Sequence, residues 1–209
     1  MLILSHRGWW LEPDERNTTR AFERSFAAGF GTELDLRDRD GELVVSHDPP
    51  VHENVAFHDV LDLHASIDPE LRLAINVKAD GLQGRIGEAL ASVGARDHFV
   101  FDMSVPDTLA YRAAGMPYYT RHSELEQAPA LYDDAAGVWL DAFFGEWFNE
   151  TVVEAHLKAE KRVCIVSPEL HGRPHESAWQ QWASWPCIST ADIAICTDHP
   201  DAAAEAFSR

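Results

Sequence analysis

The sequence predicts an α/β protein, a (β/α)8 TIM barrel of parallel strands in a single small domain that covers residues 1–209. Short apolar segments alternate with amphipathic ones, which is typical of βα units. Eight of the apolar segments are suited to a closed ring of strands. The chain of 209 residues is near the lower limit of about 200 residues for this fold, so some helices must be short.

Each candidate strand is a short apolar run bounded by polar or turn-forming residues. The eight barrel candidates are Leu2–Ser5, Thr32–Leu36, Leu73–Val77, His98–Phe101, Pro117–Thr120, Gly137–Leu140, Arg162–Val166 and Ile193–Thr197. A further strand, Glu42–Ser46, follows Asp40 and Gly41, a pair typical of a hairpin turn.

The helices are predicted from apolar residues at helical spacing and from capping residues. The candidates are Thr18–Ala28, Phe57–Leu63, Gln83–Ser92, Pro106–Ala114, Ser123–Leu131, Asn149–Glu160, Glu176–Trp185 and Ala202–Ser208. Asn17 or Thr18 is placed to cap the first helix and Gly29 to end it, while Ser104 precedes Pro106 at a first-turn position.

Composition excludes several classes of function. Aspartate and glutamate number 35 against 17 lysines and arginines, a formal net charge of −18, and binding to a nucleic-acid backbone requires clustered positive charge. The same charge disfavours anionic lipid surfaces, and we expect no stable membrane association. No apolar run approaches the length of a membrane helix, and three cysteines without paired spacing argue against a disulfide framework. We expect a cytoplasmic protein whose partner is a small molecule.

In a barrel of this kind, reactive side chains lie at the carboxyl ends of the strands. Glu33 and Asp35 alternate with leucines on the second strand, so both carboxylates are expected to face inward. Asn76 and Lys78 alternate in the same way at the end of the third barrel strand. A divalent cation, Mg²⁺ or Ca²⁺, would offset the repulsion between two neighbouring carboxylates. The alternative is an exposed strand on which the carboxylates pair with Arg37 and Arg39.

Two histidines follow strands in the same region, His6 and His47. Such a pair is suited to general base and general acid roles in one displacement. Arg7 and Lys78 would supply positive charge for an anionic substrate in an otherwise acidic chain. Together these residues suggest phosphate-ester chemistry.

These residues resemble the glycerophosphodiester phosphodiesterases and the wider superfamily that includes phosphatidylinositol-specific phospholipase C. The resemblance is dense over residues 4–48 and weaker at Asn76-Val77-Lys78 and Thr197-Asp198-His199-Pro200. It implies a metal-dependent phosphodiesterase that cleaves a glycerophosphodiester or a related lipid-derived phosphodiester. The roles it implies are acid and base for His6 and His47, metal binding for Glu33, Asp35 and Asn76, and phosphate contacts for Arg7 and Lys78. Trp9 and Trp10, directly after the first motif, are expected to touch the substrate.

The sequence departs from the family pattern in three ways. Asn76 stands where the family usually has a glutamate, which should weaken metal binding. The segment between His47 and Asn76 is too short for the insertion that shapes the glycerol pocket in typical members. The family's Glu-Asn-Thr is one residue longer here, Glu15-Arg16-Asn17-Thr18, so either Glu15 or Asn17 is expected to be displaced.

Three other interpretations stay open at this stage. If a substrate hydroxyl is the nucleophile, the product is a cyclic phosphate and the enzyme is a lyase. The amide at Asn76 is compatible with a binding protein that has lost efficient catalysis. A barrel enzyme of unrelated chemistry, such as an aldolase, would use a Schiff-base lysine, and Lys78 among carboxylates is poorly suited to that role. Asp102 and Asp141, each directly after a strand, either reach the mouth of the barrel or cap a helix.

Overall fold

The computed structural model describes residues 1–51, 53–189 and 193–208. Its strands are β1 (Leu2–His6), β2 (Gly31–Arg39), β3 (Glu42–Val45), β4 (Val55–Ala56), β5 (Leu73–Val77), β6 (His98–Phe101), β7 (Tyr119–His122), β8 (Gly137–Leu140), β9 (Arg162–Val166) and β10 (Ile193–Thr197). Its α-helices are α1 (Thr19–Ala27), α2 (Phe57–Ile67), α3 (Gln83–Val93), α4 (Val105–Ala113), α5 (Glu150–Lys158), α6 (Glu176–Ala183) and α7 (Pro200–Phe207). The predicted alternation of strands and helices is confirmed.

The eight parallel strands form a ring. β1 pairs with β2 on one side and with β10 on the other, and the chain of pairs runs from β2 through β5 to β6 and from β10 through β9 and β8 to β7. Between β6 and β7 the described pairing narrows to one bridge, Val100 with Tyr118. The Val100 N–H donates to the carbonyl of Pro117 at 3.0 Å. The barrel therefore has a seam between β6 and β7.

The second strand extends beyond the barrel as a hairpin. β3 pairs antiparallel with the last four residues of β2, and β4 pairs antiparallel with β3. The hairpin at Asp40 and Gly41 was predicted, whereas β4 was not. Because this extension continues from the carboxyl end of β2, the loop after β3 returns to the mouth of the barrel.

The barrel interior is filled by side chains rather than by a channel. Phe99 stacks on Tyr119 with ring centroids 3.6 Å apart, and Phe101 stacks on Trp139 at 4.0 Å. The outer faces of the strands pack against the helices through Phe22, Leu34, Ile75, Val138, Ile165 and Ile195, all fully buried. The polar groups at the carboxyl ends of the strands therefore lie above a layer of packed aromatic side chains inside the barrel. Among the described residues no helix is long and apolar enough to span a bilayer.

Helix α1 and the loop that precedes it are held together by local sequence signals. The Thr18 hydroxyl accepts a hydrogen bond from the N–H of Ala21 and caps the helix, as predicted. Gly8 has a φ of +81°, and a Cβ there would lie 2.7 Å from the Cβ of Ala21. Glycine is therefore required for the loop after β1 to pack on α1.

One predicted helix is absent from the structure, and one predicted strand is shifted along the chain. The helix predicted over 123–131 is wrong, because the segment forms a turn in which the Ser123 hydroxyl accepts from the N–H groups of Leu125 and Glu126. Pro129 also lies within this segment and disfavours a helix. The strand predicted from Pro117 begins two residues later, at Tyr119, since proline has no N–H to donate to the sheet.

At the amino-terminal end of the barrel, a buried arginine is held by one carboxylate. The guanidinium of Arg72, 6% exposed, donates to Asp97 at 2.9 Å, and Arg162 contacts the other oxygen of Asp97 at 3.1 Å. These residues precede or begin β5, β6 and β9, so the cluster joins the ends of three strands.

The buried His156 of α5 is paired with His122 of β7, which is partly exposed. The ring nitrogens of His122 and His156 lie 2.9 Å apart, and the other His156 nitrogen is 2.8 Å from the Tyr132 hydroxyl. Burial, and next the neighbouring His122, lower the pKa of His156 from 6.5 to about 4.

This lowered pKa predicts a loss of stability in acid. Between pH 6.5 and about 4 the unfolded chain binds a proton at His156 that the folded chain does not, so stability is greatest above this window and falls as the pH falls through it. We expect His156→Gln to flatten the slope of melting temperature against pH between pH 4 and 7. The exposed His58→Gln is the matched control, and an unchanged slope in His156→Gln would contradict the assignment.

Candidate active site

The carboxyl end of β1 places His6 between two carboxylates. His6 Nδ1 lies 2.7 Å from an oxygen of Asp198, which directly follows β10, and His6 Nε2 lies 3.9 Å from Glu33 Oε2. The strand register explains both contacts, because His6 pairs with Glu33 across β1 and β2 while Ser5 pairs with Thr197 across β1 and β10. Burial would raise the pKa of Asp198, but the hydrogen bond and charge of His6 and the charge of Arg16 outweigh it and lower that pKa.

Glu33 is enclosed by protein. It is 1% exposed, and burial followed by the charge of Asp35 raises its pKa to about 7. The backbone N–H of Arg7 donates to Glu33 Oε2 at 3.2 Å. The alternative of an exposed strand paired with Arg37 and Arg39 is therefore wrong.

Asp35 is the point on which cationic and amide groups converge. Its side chain is fully buried, with Arg7 Nε at 2.8 Å from Oδ2, Lys78 Nζ at 3.5 Å from Oδ1 and Asn17 Nδ2 donating at 2.9 Å. Arg7 and Asn17 both have positive φ, 60° and 58°, a conformation uncommon outside glycine that clusters at functional sites. The structure brings Arg7, Lys78 and Asp35 together as predicted from the strand ends.

Asn76 lies beside Asp35 on the neighbouring strand. The register of β2 and β5 pairs these two residues directly. Asn76 Oδ1 and Asp35 Oδ1 are both buried and accept no hydrogen bond within the described residues. Asp35 Oδ1 has the Lys78 ammonium as an ion-pair partner at 3.5 Å, whereas burial of Asn76 Oδ1 is unfavourable unless another group satisfies it. Lys78 reaches Asp102 as well, at 4.0 Å.

His47 lies at the rim rather than at the centre of this cluster. It follows β3, its side chain is 48% exposed, and its Nδ1 lies 2.9 Å from Asp48. The Nε of Arg37 donates to the backbone carbonyl of His47 at 3.0 Å. His47 and Arg7 line the same cavity of about 560 Å³ between the loops after β1 and β3.

Trp10, one of the two tryptophans after the first motif, contacts the candidate site. The indole N–H of Trp10 donates to the carbonyl of His6 at 3.2 Å. The Trp9 ring packs edge-on against Phe30 with centroids 5.7 Å apart. The substrate contact of Trp9 stays a prediction.

In the lengthened motif Glu15-Arg16-Asn17-Thr18, Asn17 reaches the carboxylate cluster and Glu15 is the displaced residue. The Asn17 amide holds Asp35, whereas Glu15 pairs with Arg24 at 2.9 Å and with Arg20 at 3.4 Å on α1. Only the backbone path through Arg16 decides which of the two side chains turns inward, so the sequence left both possible.

A second group of charges at the mouth went largely unpredicted. Arg121, at β7, forms ion pairs with Asp102 and Asp141, which follow β6 and β8, and His171 Nε2 lies 2.6 Å from Asp141. Burial would lower the pKa of Arg121, and the two aspartates outweigh it and raise that pKa. Asp102 and Asp141 reach the mouth of the barrel, one of the two alternatives for them. No motif marks Arg121, since its role depends on strands far apart in sequence.

Glu169 is a further residue without a sequence signal. It follows β9, and its Oε1 accepts from the Thr197 hydroxyl at 2.5 Å and from the N–H of Asp198 at 3.1 Å. Ser167 donates to its other oxygen. Glu169 therefore fixes the backbone from which Asp198 reaches His6.

Comparison with solved structures agrees with the α/β-barrel architecture. The chain matches a glycerophosphodiester phosphodiesterase from Agrobacterium tumefaciens with a TM-score of 0.73 and 17% identity, over 100% of both chains. It matches a glycerophosphoryl diester phosphodiesterase from Parabacteroides distasonis with a TM-score of 0.67 and 13% identity, over 99% of this chain and 85% of that one.

A Ca²⁺-dependent phosphatidylinositol-specific phospholipase C from Streptomyces antibioticus also matches. The TM-score is 0.55 at 12% identity, over 99% of this chain and 95% of that one. No family model and no curated protein matches the sequence. The chain therefore has the barrel fold shared by these phosphodiesterase structures, at a sequence identity too low to carry more than the fold.

Proposed function

We propose that the protein is a metal-dependent phosphodiesterase that cleaves a glycerophosphodiester or a related lipid-derived phosphodiester. The observation that carries this proposal is the His6–Asp198 pair, 2.7 Å apart, at the same strand ends as Glu33 and Asp35. A histidine oriented by a carboxylate is suited to acid–base cleavage of an ester. The neighbouring carboxylates would attract a cation, and Arg7 and Lys78 would attract an anionic substrate. The barrel shared with enzymes named as phosphodiesterases supports the same class of reaction.

The donor set fits a divalent cation, Mg²⁺ or Ca²⁺. Glu33, Asp35 and Asn76 present oxygen ligands, which these ions prefer. The buried Oδ1 of Asn76 accepts no hydrogen bond within the described chain, whereas Asp35 Oδ1 has the Lys78 ammonium at 3.5 Å. No cluster of three or more His, Cys, Asp or Glu side chains in that part of the chain is arranged to hold a metal. A site here therefore depends on the Asn76 amide. When bound, the cation would supply Lewis-acid stabilisation of charge on the phosphate oxygens.

The two histidines divide the proton transfers. Asp198 favours the His6 tautomer that carries its proton on Nδ1, which leaves Nε2, on the Glu33 side, as the reactive nitrogen. His47 lines the cavity together with Arg7 and would act on the substrate from there. One histidine accepts the proton of the attacking hydroxyl or water, and the other donates a proton to the departing alkoxide.

The cationic side chains bind and stabilise the phosphate. Arg7 and Lys78 are held on Asp35, at 2.8 and 3.5 Å, so both are oriented before substrate binds. Fixed positive charge in a partly buried site stabilises the negative charge that develops on the phosphorus oxygens.

Phosphorus NMR of a small substrate panel tests the proposal. The panel holds glycerophosphocholine, lysophosphatidylcholine, glycerophosphoinositol and an aryl phosphodiester, each with Mg²⁺, Ca²⁺ or EDTA. We expect loss of at least one diester signal with a metal ion and none with EDTA. A cyclic phosphate signal would assign the enzyme as a lyase, and cleavage unaffected by EDTA would exclude the metal. Bound ligand without turnover would instead identify a binding protein.

The Asn76 amide makes a separate prediction about metal affinity. Asn76→Glu adds a third anionic oxygen ligand, and we expect Ca²⁺ or Mg²⁺ to bind about tenfold more tightly, since affinity in oxygen sites follows ligand charge. Isothermal titration calorimetry measures this without any substrate. Gln127→Glu, which adds the same charge on an exposed loop, is the control, and equal affinity in wild type and Asn76→Glu would remove residue 76 from the ligand set.

A further inference from the structure

Arg16 occupies the extra position in the motif that follows β1. Arg16 directly precedes Asn17, whose amide donates to Asp35. It lines the cavity of about 560 Å³ together with Arg7 and His47. The loop thus brings a second guanidinium to a cavity in a chain whose net charge is −18.

The guanidinium of Arg16 is fixed beside the acid–base pair. It stacks on the Trp10 ring with its central carbon 4.1 Å from the ring centroid, and Trp10 is itself held by its hydrogen bond to the His6 carbonyl. Its Nη2 lies 3.6 Å from Asp198 Oδ2, at the carboxylate that orients His6. Stacking limits the rotation of the guanidinium plane, so its donors are oriented before a ligand arrives.

The hydrogen-bond donors of the Arg16 side chain are open to a ligand in the described part of the chain. Within the described chain Arg16 donates no hydrogen bond, and its buried Nε is without an acceptor. The contact with Asp198, at 3.6 Å, is an ion pair longer than a hydrogen bond. A guanidinium presents five N–H donors in a planar fork that matches the oxygens of a phosphate. An anionic ligand in the cavity would satisfy them.

We infer that Arg16 is a substrate-binding residue that contacts the scissile phosphate of the diester, opposite Arg7. This inference rests on the proposed function and adds a phosphate contact that the family motif does not contain. Arg16 sits at the carboxylate that holds His6, so an anion bound by its fork lies at the reacting end of the cavity.

Binding of inorganic phosphate tests the inference without turnover. We expect Arg16→Gln to weaken phosphate binding about tenfold by calorimetry, which corresponds to loss of one charge-assisted hydrogen bond, and Arg16→Lys to recover part of it. The control is Arg20→Gln, which removes the same charge from an exposed side chain on α1 and should leave binding unchanged. Equal binding by wild type and Arg16→Gln, or no binding by wild type, would overturn the inference.

Kinetics separate a substrate contact from an effect through Asp198. With glycerophosphocholine we expect Arg16→Gln to raise KM about tenfold and to change kcat by less than about threefold, with the pH profile unmoved. A lower kcat with a shifted pH profile and unchanged KM would assign Arg16 to the support of Asp198 instead. If wild type binds phosphate through Arg16 but cleaves no diester, the proposed function fails while the anion site stands.

Discussion

Replacing His6 by alanine is expected to lower the turnover of a cleaved diester at least a hundredfold. Acid–base groups contribute roughly 10²–10⁴ in rate, and His6 is the histidine that a carboxylate orients, at 2.7 Å from Asp198. The same result is expected for His47→Ala if the two histidines act as a pair. Turnover of the diester identified by phosphorus NMR, measured at saturating substrate, gives the ratio directly.

The control for this experiment is another histidine of the same chain. His58 is 69% exposed and pairs only with its neighbour Asp59 among the described residues, so His58→Ala should retain wild-type turnover. Circular dichroism establishes that each variant is folded. Near-full activity of folded His6→Ala would remove His6 from the proton transfers, and near-full activity of His47→Ala alone would leave His6 without its proposed partner.

The largest effect on stability is expected at the opposite end of the barrel. Asp97→Ala leaves the guanidinium of Arg72 buried without its carboxylate, and Arg162 loses the same partner. Removing one partner of a buried ion pair lowers the free energy of unfolding by about 3–5 kcal/mol. Because Asp97 is partly exposed, we expect Asp97→Ala to lower it by about 2–3 kcal/mol. Urea denaturation monitored by circular dichroism measures the difference.

A second variant separates the unpaired charge from loss of packing. Arg72→Met with Asp97→Ala removes the stranded charge while keeping an apolar side chain of similar length, and it should recover most of the lost stability. Arg96→Met is the surface control, since Arg96 and its partner Glu70 are both largely exposed and the pair contributes little. A double variant as unstable as Asp97→Ala would show that the aspartate acts through something other than Arg72.

The sequence was informative about the site where chemistry and periodicity coincide. Glu33 and Asp35 alternate with buried leucines, and this alone places both carboxylates inside a barrel strand. The residues that went unrecognised act between neighbouring strands: Arg121 contacts the strand ends on either side, and Glu169 holds Asp198 from the adjacent strand. Pairing between strands is set by the closed topology, so one sequence gives no local signal for such contacts.

Local signals had the same limit elsewhere. The short apolar runs located all eight barrel strands to within a few residues at their ends, because burial on both faces leaves a strong apolar run. Helical spacing of apolar residues wrongly predicted a helix over Ser123–Leu131. The Ser123 hydroxyl accepts from backbone N–H groups within a turn there, and such a turn competes with a helix. Trp9 and Trp10 adjoin the same motif, and only the path of the loop decides that Trp10 faces His6.

The seam between β6 and β7 has a consequence for how the ring stays closed. Backbone pairing there narrows to one bridge within the described chain, yet Arg121 and Asp102 stand on its two sides and are joined by an ion pair. Lys78 contacts the same Asp102. Through Asp102, the ion pair across the seam is therefore linked to Lys78, a candidate phosphate contact. Amide hydrogens along the seam should exchange first, and a phosphate bound near Lys78 should slow them, which would couple occupancy of the site to closure of the barrel.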